Sequence, residues 1–148
     1  MKTDFETLRA LSSYMINLLT ESKHIQYPIE TRTELIEAVA TEFAVSFATE
    51  EDIKDQAIEE VEEKLGQGVI EGDITETEVY NHARKEIIKS FNGEAISGLY
   101  LVESLNQVAQ RLKNYLLTSE YIDDVYSSDE ELIDFIITKI RNFSLKRG

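Results

Sequence analysis

Two histidines and many carboxylates are the residues of this chain that could support metal chemistry. Glu78, His82 and Glu86 follow one another in steps of four, so they share one face of a predicted helix. Imidazole and carboxylate groups are ligands of catalytic divalent metals. The same spacing is common by chance, and a solvated or locally hydrogen-bonded His82 explains it more simply. We predict no metal site here and keep a metal-dependent enzyme that uses these three residues as an alternative.

Other segments that resemble cofactor or catalytic motifs lack the context those motifs need. The glycine-rich segment 66–72 follows a predicted helix instead of a strand, and its spacing does not fit a dinucleotide fingerprint. The acidic residues between 123 and 131 lack the alternating oxygen ligands of a calcium loop. The chain contains no cysteine, and no serine, lysine or tyrosine has a recognisable activating partner. We therefore expect no catalytic residue, no cofactor and no enzymatic activity.

Negative charge is the strongest signal in the composition. The net charge of -14 at pH 7 disfavours binding to nucleic-acid backbones and anionic membranes. Segment 49–78 holds twelve acidic side chains and only two lysines, and its densest run is Glu59, Glu60, Glu62 and Glu63. This run lies late in a predicted helix, where the helix dipole does not favour acids. It is either a solvated helix face or a docking surface for a basic protein, and we predict the docking surface.

A second alternative function rests on local basic patches. Seven of the fifteen lysines and arginines fall in two short stretches, Arg84, Lys85 and Lys89, and Lys139, Arg141, Lys146 and Arg147. A small regulator could touch nucleic acid through these patches in spite of the overall charge. The leading prediction remains a non-enzymatic interaction or adaptor protein with an acidic face.

The elements that must position these residues are helices. The chain has 42% hydrophobic residues, one proline and six glycines, a composition that favours long helices. Thr3, Thr31, Thr49, Thr75 and Ser128 are each followed three residues later by an acid, which is typical of helix starts. Apolar residues then recur at helical spacing, as in Phe43 and Phe47 of the second segment. The sequence predicts an all-α fold of about six amphipathic helices, in two helical sub-units with an elongated shape.

The boundary between the predicted sub-units falls near residue 93. Residues 1–93 form a four-helix unit with an acidic third helix, and residues 94–148 form a two-helix unit. At a constant spacing of 97 residues, segment 8–47 resembles segment 105–144, as in Leu35 and Leu132, and an internal repeat is one explanation. The connectors 25–27 and 122–125 could add short extended pairs. The predicted core consists of Leu18, Leu35, Val39, Phe43, Leu112, Leu116, Leu132, Ile136 and Ile140.

Residues 8–96 resemble a known bacterial family in the order of their segments. The matching segments are Met15–Leu19, the I-x-Y-P-I connector at Ile25–Ile29, Glu34–Glu37, Glu50–Ile53, Glu59–Leu65, Val79–Lys85 and Phe91–Gly93. In this order they are similar to the proteins grouped as domain of unknown function 507. Residues 104–143 resemble the C-terminal extension of its longer members. Glu86 makes the fourth helix less basic than is usual in the family. The resemblance implies a helical fold and no assigned activity.

The expected location is the cytoplasm. The N-terminus has no continuous hydrophobic stretch of the signal-peptide type, and no run of about 18 apolar residues could span a bilayer. Absence of cysteine fits a reducing compartment. The oligomeric state and the identity of any partner are left open by the sequence.

Overall fold

A computed structural model describes residues 4–66, 75–91, 95–96 and 98–143 of the chain. Within these residues the fold is all-α, as predicted, with short antiparallel strands between the helices. The six α-helices are α1 (Asp4–Glu21), α2 (Arg32–Ser46), α3 (Glu50–Gly66), α4 (Glu76–Lys89), α5 (Leu105–Thr118) and α6 (Asp129–Asn142). The strands are β1 (Ile25–Gln26), β2 (Phe47–Ala48), β3 (Ala95–Ile96), β4 (Leu99–Leu101) and β5 (Asp124–Val125), and a 3₁₀ turn spans Ile29–Thr31.

Most predicted helix starts form the expected caps. In α4 and α6 the side chains of Thr75 and Ser128 accept a hydrogen bond from the third helical N–H, and the glutamate there accepts one in return. Thr49 and Asp52 make the same reciprocal pair at α3. The box predicted at Thr31 is wrong. Its hydroxyl donates to the Pro28 carbonyl at 2.8 Å, because a 3₁₀ turn leads directly into α2. Thr3 lies outside the described residues.

The hydrophobic core is formed by α1, α2, α5 and α6. Helix α1 packs on α2, α5 packs on α6, and the two pairs meet through α2 with α5 and α1 with α6. All predicted core residues except one are buried in this core. Leu18 is only half-buried, and its neighbour Leu19 is fully buried instead, because the helix turns Leu19 onto the inner face.

This core crosses the predicted sub-unit boundary. Buried side chains from α1 and α2 belong to the same apolar cluster as those from α5 and α6, so residues 1–93 and 94–148 do not have separate cores. Helices α3 and α4 instead pack on each other, and α3 also contacts β2. We call these two helices, which lie between the two halves of the core in sequence, the acidic arm. Sequence order therefore predicted the helices but grouped them differently from the structure.

The two halves of the core are related by the predicted spacing of 97 residues. Helices α1 and α5 end at Glu21 and Thr118, and α2 and α6 begin at Arg32 and Asp129. The matched positions Leu8 and Leu105, Leu11 and Val108, and Met15 and Leu112 are all buried. The connectors pair as antiparallel strands, with Ile25 opposite Val125 and Gln26 opposite Asp124. The sequence allowed short extended pairs at these connectors but did not predict that they pair with each other, and common ancestry of the two halves remains a hypothesis.

A small three-stranded sheet joins the core to the acidic arm. Strand β4 lies between β2 and β3, with Phe47 opposite Leu101, Ala48 opposite Tyr100 and Ile96 opposite Leu99. Phe47, predicted on the face of the second helix, is therefore the first residue of β2. The β3–β4 hairpin needs Gly98, whose φ of 86° lies in the region that glycine adopts without strain. Helix α5 begins only after this sheet.

Candidate functional site: the acidic third helix and its groove

Helix α3 buries a narrow stripe and exposes the rest of its surface. Ile53, Ala57 and Val61 recur every four residues and are buried, and Ala83 is the buried residue of α4. Such a stripe covers only one side of a helix with 3.6 residues per turn. The remaining side chains of α3, mostly acidic, are predominantly solvent-exposed.

The four predicted partner-binding residues Glu59, Glu60, Glu62 and Glu63 are all exposed. They do not form a single stripe, because a helix turns by about 100° per residue and spreads them over roughly 160° of its circumference. Glu59 borders a groove that lies towards α2. Glu62 borders a different groove, between α3 and α4. Among ion pairs between described residues, none uses any of these four carboxylates.

The groove beside Glu59 has an apolar floor and an acidic rim. It has a volume of about 410 Å³ and lies where the end of α2, strand β2, helix α3 and the residue after β4 meet. Val45, Phe47 and Val102 are among its apolar lining residues. Its charged residues are Asp52, Asp55 and Glu59, and its described lining includes no lysine or arginine. We call it the Val45 groove.

A network of hydrogen bonds fixes the N-terminal end of α3. Arg84 of α4 donates to both carboxylate oxygens of Glu50, at 2.7 and 2.9 Å, and the Tyr100 hydroxyl of β4 donates to the same carboxylate at 2.7 Å. The Arg84 hydrogen bond is the main reason that the pKa of Glu50 is lowered. The hydrogen bond to Glu50 in turn raises the pKa of Tyr100. This network holds the first turn of α3 against α4 and the sheet.

A second network lies behind the Val45 groove. Arg111 donates two hydrogen bonds of 3.0 Å to the carboxylate of Glu103, a bidentate geometry that fixes both side chains. The buried Ser46 hydroxyl donates to the same carboxylate at 2.5 Å. The pKa of Glu103 is lowered, chiefly by Arg111. Ser46 and Glu103, the residues that follow Val45 and Val102 in the chain, are therefore anchored to each other.

The candidate metal residues are not gathered into a site. Glu78, His82 and Glu86 are all exposed on α4. Glu78 accepts hydrogen bonds from Thr75 in the helix cap, and Glu86 lies 3.8 Å from Lys89. In the described part of the chain, no three acidic or histidine side chains are placed to hold a metal ion together. The glycine-rich segment considered for nucleotides lies, beyond Gly66, outside the described residues.

The basic patches are partly occupied by contacts within the chain. Arg84 is paired with Glu50, Lys89 lies beside Glu86, and the ammonium group of Lys139 lies 5.2 Å from the centre of the Phe135 ring. Lys85 and Arg141 are exposed. The predicted residues Lys146 and Arg147 lie outside the described residues. Arg84 and Lys89 therefore each have an acidic neighbour within the chain.

His24 has an environment that its sequence position did not indicate. Its ring lies 4.4 Å from that of Phe135, and its Nδ1 atom is hydrogen-bonded to the Ser127 hydroxyl. Its carbonyl accepts a hydrogen bond of 2.8 Å from the Tyr126 N–H. These contacts link the connector of the first half to that of the second. The half-buried ring thus has a structural role at the β1–β5 junction.

By its geometry this is an all-α protein with a four-helix core and an inserted acidic helical arm. Comparisons of the chain with protein-family models, with curated proteins and with solved structures found no match. In the described residues, no helix has the length and apolar character needed to cross a membrane.

Proposed function

We propose that this protein is a non-enzymatic interaction module that binds a basic protein partner through the acidic arm. The observation that supports it best is the exposure of Glu59, Glu60, Glu62 and Glu63 without ion pairs to other described residues. Concentrated charge of one sign repels itself and weakens the folded state. A role in recognition would explain why the charge is concentrated on one helix.

Electrostatics explains what such a surface would do. Opposite charge on a partner accelerates association and excludes partners of like charge. The interaction would be screened as ionic strength rises, since the Debye length falls to about 8 Å at 0.15 M salt. The arm also has a fixed base, because Glu50, Arg84 and Tyr100 hold it against the sheet. A fixed surface loses less entropy on binding than a mobile one.

Affinity capture from the native host, with the purified chain as bait, tests the proposal. We expect specific partners of high isoelectric point that are released as the salt concentration increases. Changing Glu59, Glu60, Glu62 and Glu63 to Gln should remove them. A matched control changes four other exposed glutamates to Gln, namely Glu21, Glu30, Glu120 and Glu130. If the parent and the arm variant capture the same partners and the variant is slightly more stable, the docking surface is refuted and the acidic run is a solvated helix face.

Two alternative functions have distinct tests. A regulator of nucleic acid would shift labelled DNA or RNA in a salt-dependent way, and that shift would weaken when Lys85 and Arg141 are changed to Gln. A metal-dependent enzyme would show stoichiometric metal in elemental analysis of the purified protein. The internal pairing of Arg84 and Lys89 and the wide exposure of His82 favour the interaction module over both.

Cytoplasmic location and membership of the domain of unknown function 507 family are parts of the same proposal. The helical fold agrees with what the family resemblance implies, and the lack of cysteine fits a reducing compartment such as the cytoplasm. Neither adds an activity to the module.

A further inference from the structure

We infer that the Val45 groove binds one apolar side chain of a short basic segment, with flanking lysines or arginines facing Asp55 and Glu59. The inference rests on the proposed function and names the partner's recognition element. The segment is a peptide stretch of another protein, in which an aliphatic or aromatic residue lies between cationic residues. It differs from binding by the acidic face alone, because it requires apolar contact in the groove.

Two exposed valines form the apolar surface that the peptide side chain would contact. Val45 is 56% exposed and Val102 is 47% exposed, although both line the same groove. They are close because the Val102 N–H donates to the Ser46 carbonyl at 2.9 Å, which continues the pairing of β2 with β4. Valine has little side-chain freedom to lose on binding. Each Å² of apolar surface covered at this point stabilises a complex by about 25 cal/mol before the costs of association.

The acidic residues on the rim of the groove are placed to contact the cations of the peptide. Asp52, Asp55 and Glu59 follow one another by three and four residues, so they line one side of α3 along the groove. Asp55 and Glu59 are about 6 Å apart along the helix axis, at 1.5 Å per residue. Two cations one helical turn apart in a helical peptide match this spacing. Asp52 is held by Thr49, whose backbone N–H donates to its carboxylate at 3.0 Å.

The size and charge of the groove select this occupant over others. A volume of about 410 Å³ is near the lower end of the range for small-molecule pockets and suits one or two large side chains. Phosphate-bearing ligands, including nucleic acid and lipid headgroups, would face three carboxylates and no cation in the described lining. A basic segment with an apolar anchor residue can make apolar contacts with the floor of the groove and ion pairs with the carboxylates of its rim.

The test uses three synthetic peptides and nitrogen-15-labelled protein at low salt. The full probe has a leucine flanked on each side by lysines. The second peptide replaces the leucine by serine and keeps all lysines, and the third replaces the lysines by glutamine and keeps the leucine. We expect the full probe to shift the amide signals of Ala44–Ala48, Val102 and Asp55–Glu59 in a saturable manner. The serine peptide should bind about fivefold more weakly, and the glutamine peptide more weakly still.

Protein variants distinguish the groove from the acidic face as a whole. Asp55→Asn with Glu59→Gln should weaken the full probe about tenfold, whereas the charge-matched pair Glu60→Gln with Glu63→Gln should weaken it less than threefold. Val102→Thr keeps the shape of an exposed side chain and should weaken the probe about fivefold, with exposed Ile29→Thr as its control.

The outcomes separate this inference from the proposed function. The groove would be overturned, and an acidic docking face would remain, if two results were found together. The two pairs of acidic substitutions would weaken binding of the full probe equally, and the leucine and serine peptides would bind equally well. Absence of any saturable shift with the full probe would overturn the groove, and the affinity capture with the arm variant would then decide the proposed function separately.

Discussion

Placing an aspartate at Ile136 should destabilise the protein more than any surface change described above. Ile136 is 0% exposed in the middle of α6 and lies in the same core as Leu132 and Ile140. The substitution removes an apolar side chain and puts a carboxyl group in its place. The described core around it is apolar, so the new group would have to find a partner by rearrangement or remain unpaired.

The magnitude follows from two costs. Burial of an isoleucine stabilises a fold by about 1.5–3 kcal/mol, and this contribution is lost. A polar group buried without a hydrogen bond costs roughly 2–7 kcal/mol more. The sum is of the same order as the whole stability of a typical domain, which is about 5–15 kcal/mol. Ile136→Asp should therefore be unfolded or close to unfolding at neutral pH.

The loss should also depend on pH with a defined sign. Burial would raise the pKa of the new carboxyl group in the folded state above its unfolded value of about 3.9. The charged form is penalised, so the difference from the parent is largest at neutral pH. It should become smaller as the pH falls from the raised folded-state pKa to the unfolded value, because over that range the folded state holds the proton and the unfolded state does not. Below about 3.9 both states hold the proton, and the remaining difference no longer depends on pH.

Urea unfolding followed by far-UV circular dichroism measures these effects. Ile136→Ala supplies a second variant that keeps the fold measurable, and its expected cost is about 2–5 kcal/mol. Thr138→Asp adds the same charge to an exposed position of the same helix and should cost less than about 1 kcal/mol. If Ile136→Asp and Thr138→Asp unfold at the same urea concentration as the parent, α6 does not pack as described.

Three further substitutions test other parts of the structure. His82→Ala should leave the free energy of unfolding within about 0.5 kcal/mol and the metal content unchanged in elemental analysis, since the residue is exposed; stoichiometric metal lost with the histidine would support the enzyme alternative. Arg84→Gln should cost under about 1 kcal/mol at pH 7, because the pair with Glu50 is partly exposed. Because the folded-state pKa of Glu50 is lowered, this contribution is present above the ordinary pKa of 4.5 and is lost as the pH falls through the folded-state pKa. The urea unfolding curves of parent and variant should therefore converge in acid. A difference in stability that stays constant with pH would exclude the ion pair as its source. Gly98→Ala should lower stability by about 1–2 kcal/mol because of its φ of 86°, and an unchanged melting temperature would show that the hairpin does not need this conformation.

Local patterns were sufficient to predict the helices and most of their starts. The Thr75 and Ser128 caps depend on residues three apart, which a sequence shows directly. The start of α5 has the same kind of signal, because Ser104 and Gln107 form a capping box in which glutamine takes the place of the acid. The connectors 25–27 and 122–125 were expected to add at most short extended pairs, and their pairing with each other as β1 and β5 comes from the structure.

Non-local pairing could not be predicted in this way. Phe47 lies four residues after Phe43, so helical periodicity extends to it, but its strand partner Leu101 is far away in the chain. The exposure of the four glutamates follows from their charge. The position of the Val45 groove could not be predicted from the sequence, because Val45 and Val102 become neighbours only when β2 pairs with β4. The sharing of one core by the first two and last two helices depends on the same long-range contacts.

The pairing of Ala48 with Tyr100 brings together the points where the chain leaves and rejoins the core around the acidic arm. Paired strands are about 5 Å apart, so the segment that carries the arm leaves β2 and returns to β4 at almost one place. An element attached in this way is able to open without unfolding the rest of the molecule, as a separate cooperative unit. Amide hydrogens of α3 and α4 should then exchange with solvent well before those of α2 and α5. Replacing residues 49–99 by a short turn would remove more than the arm, because Ile96 and Leu99 belong to the same buried cluster as the four core helices.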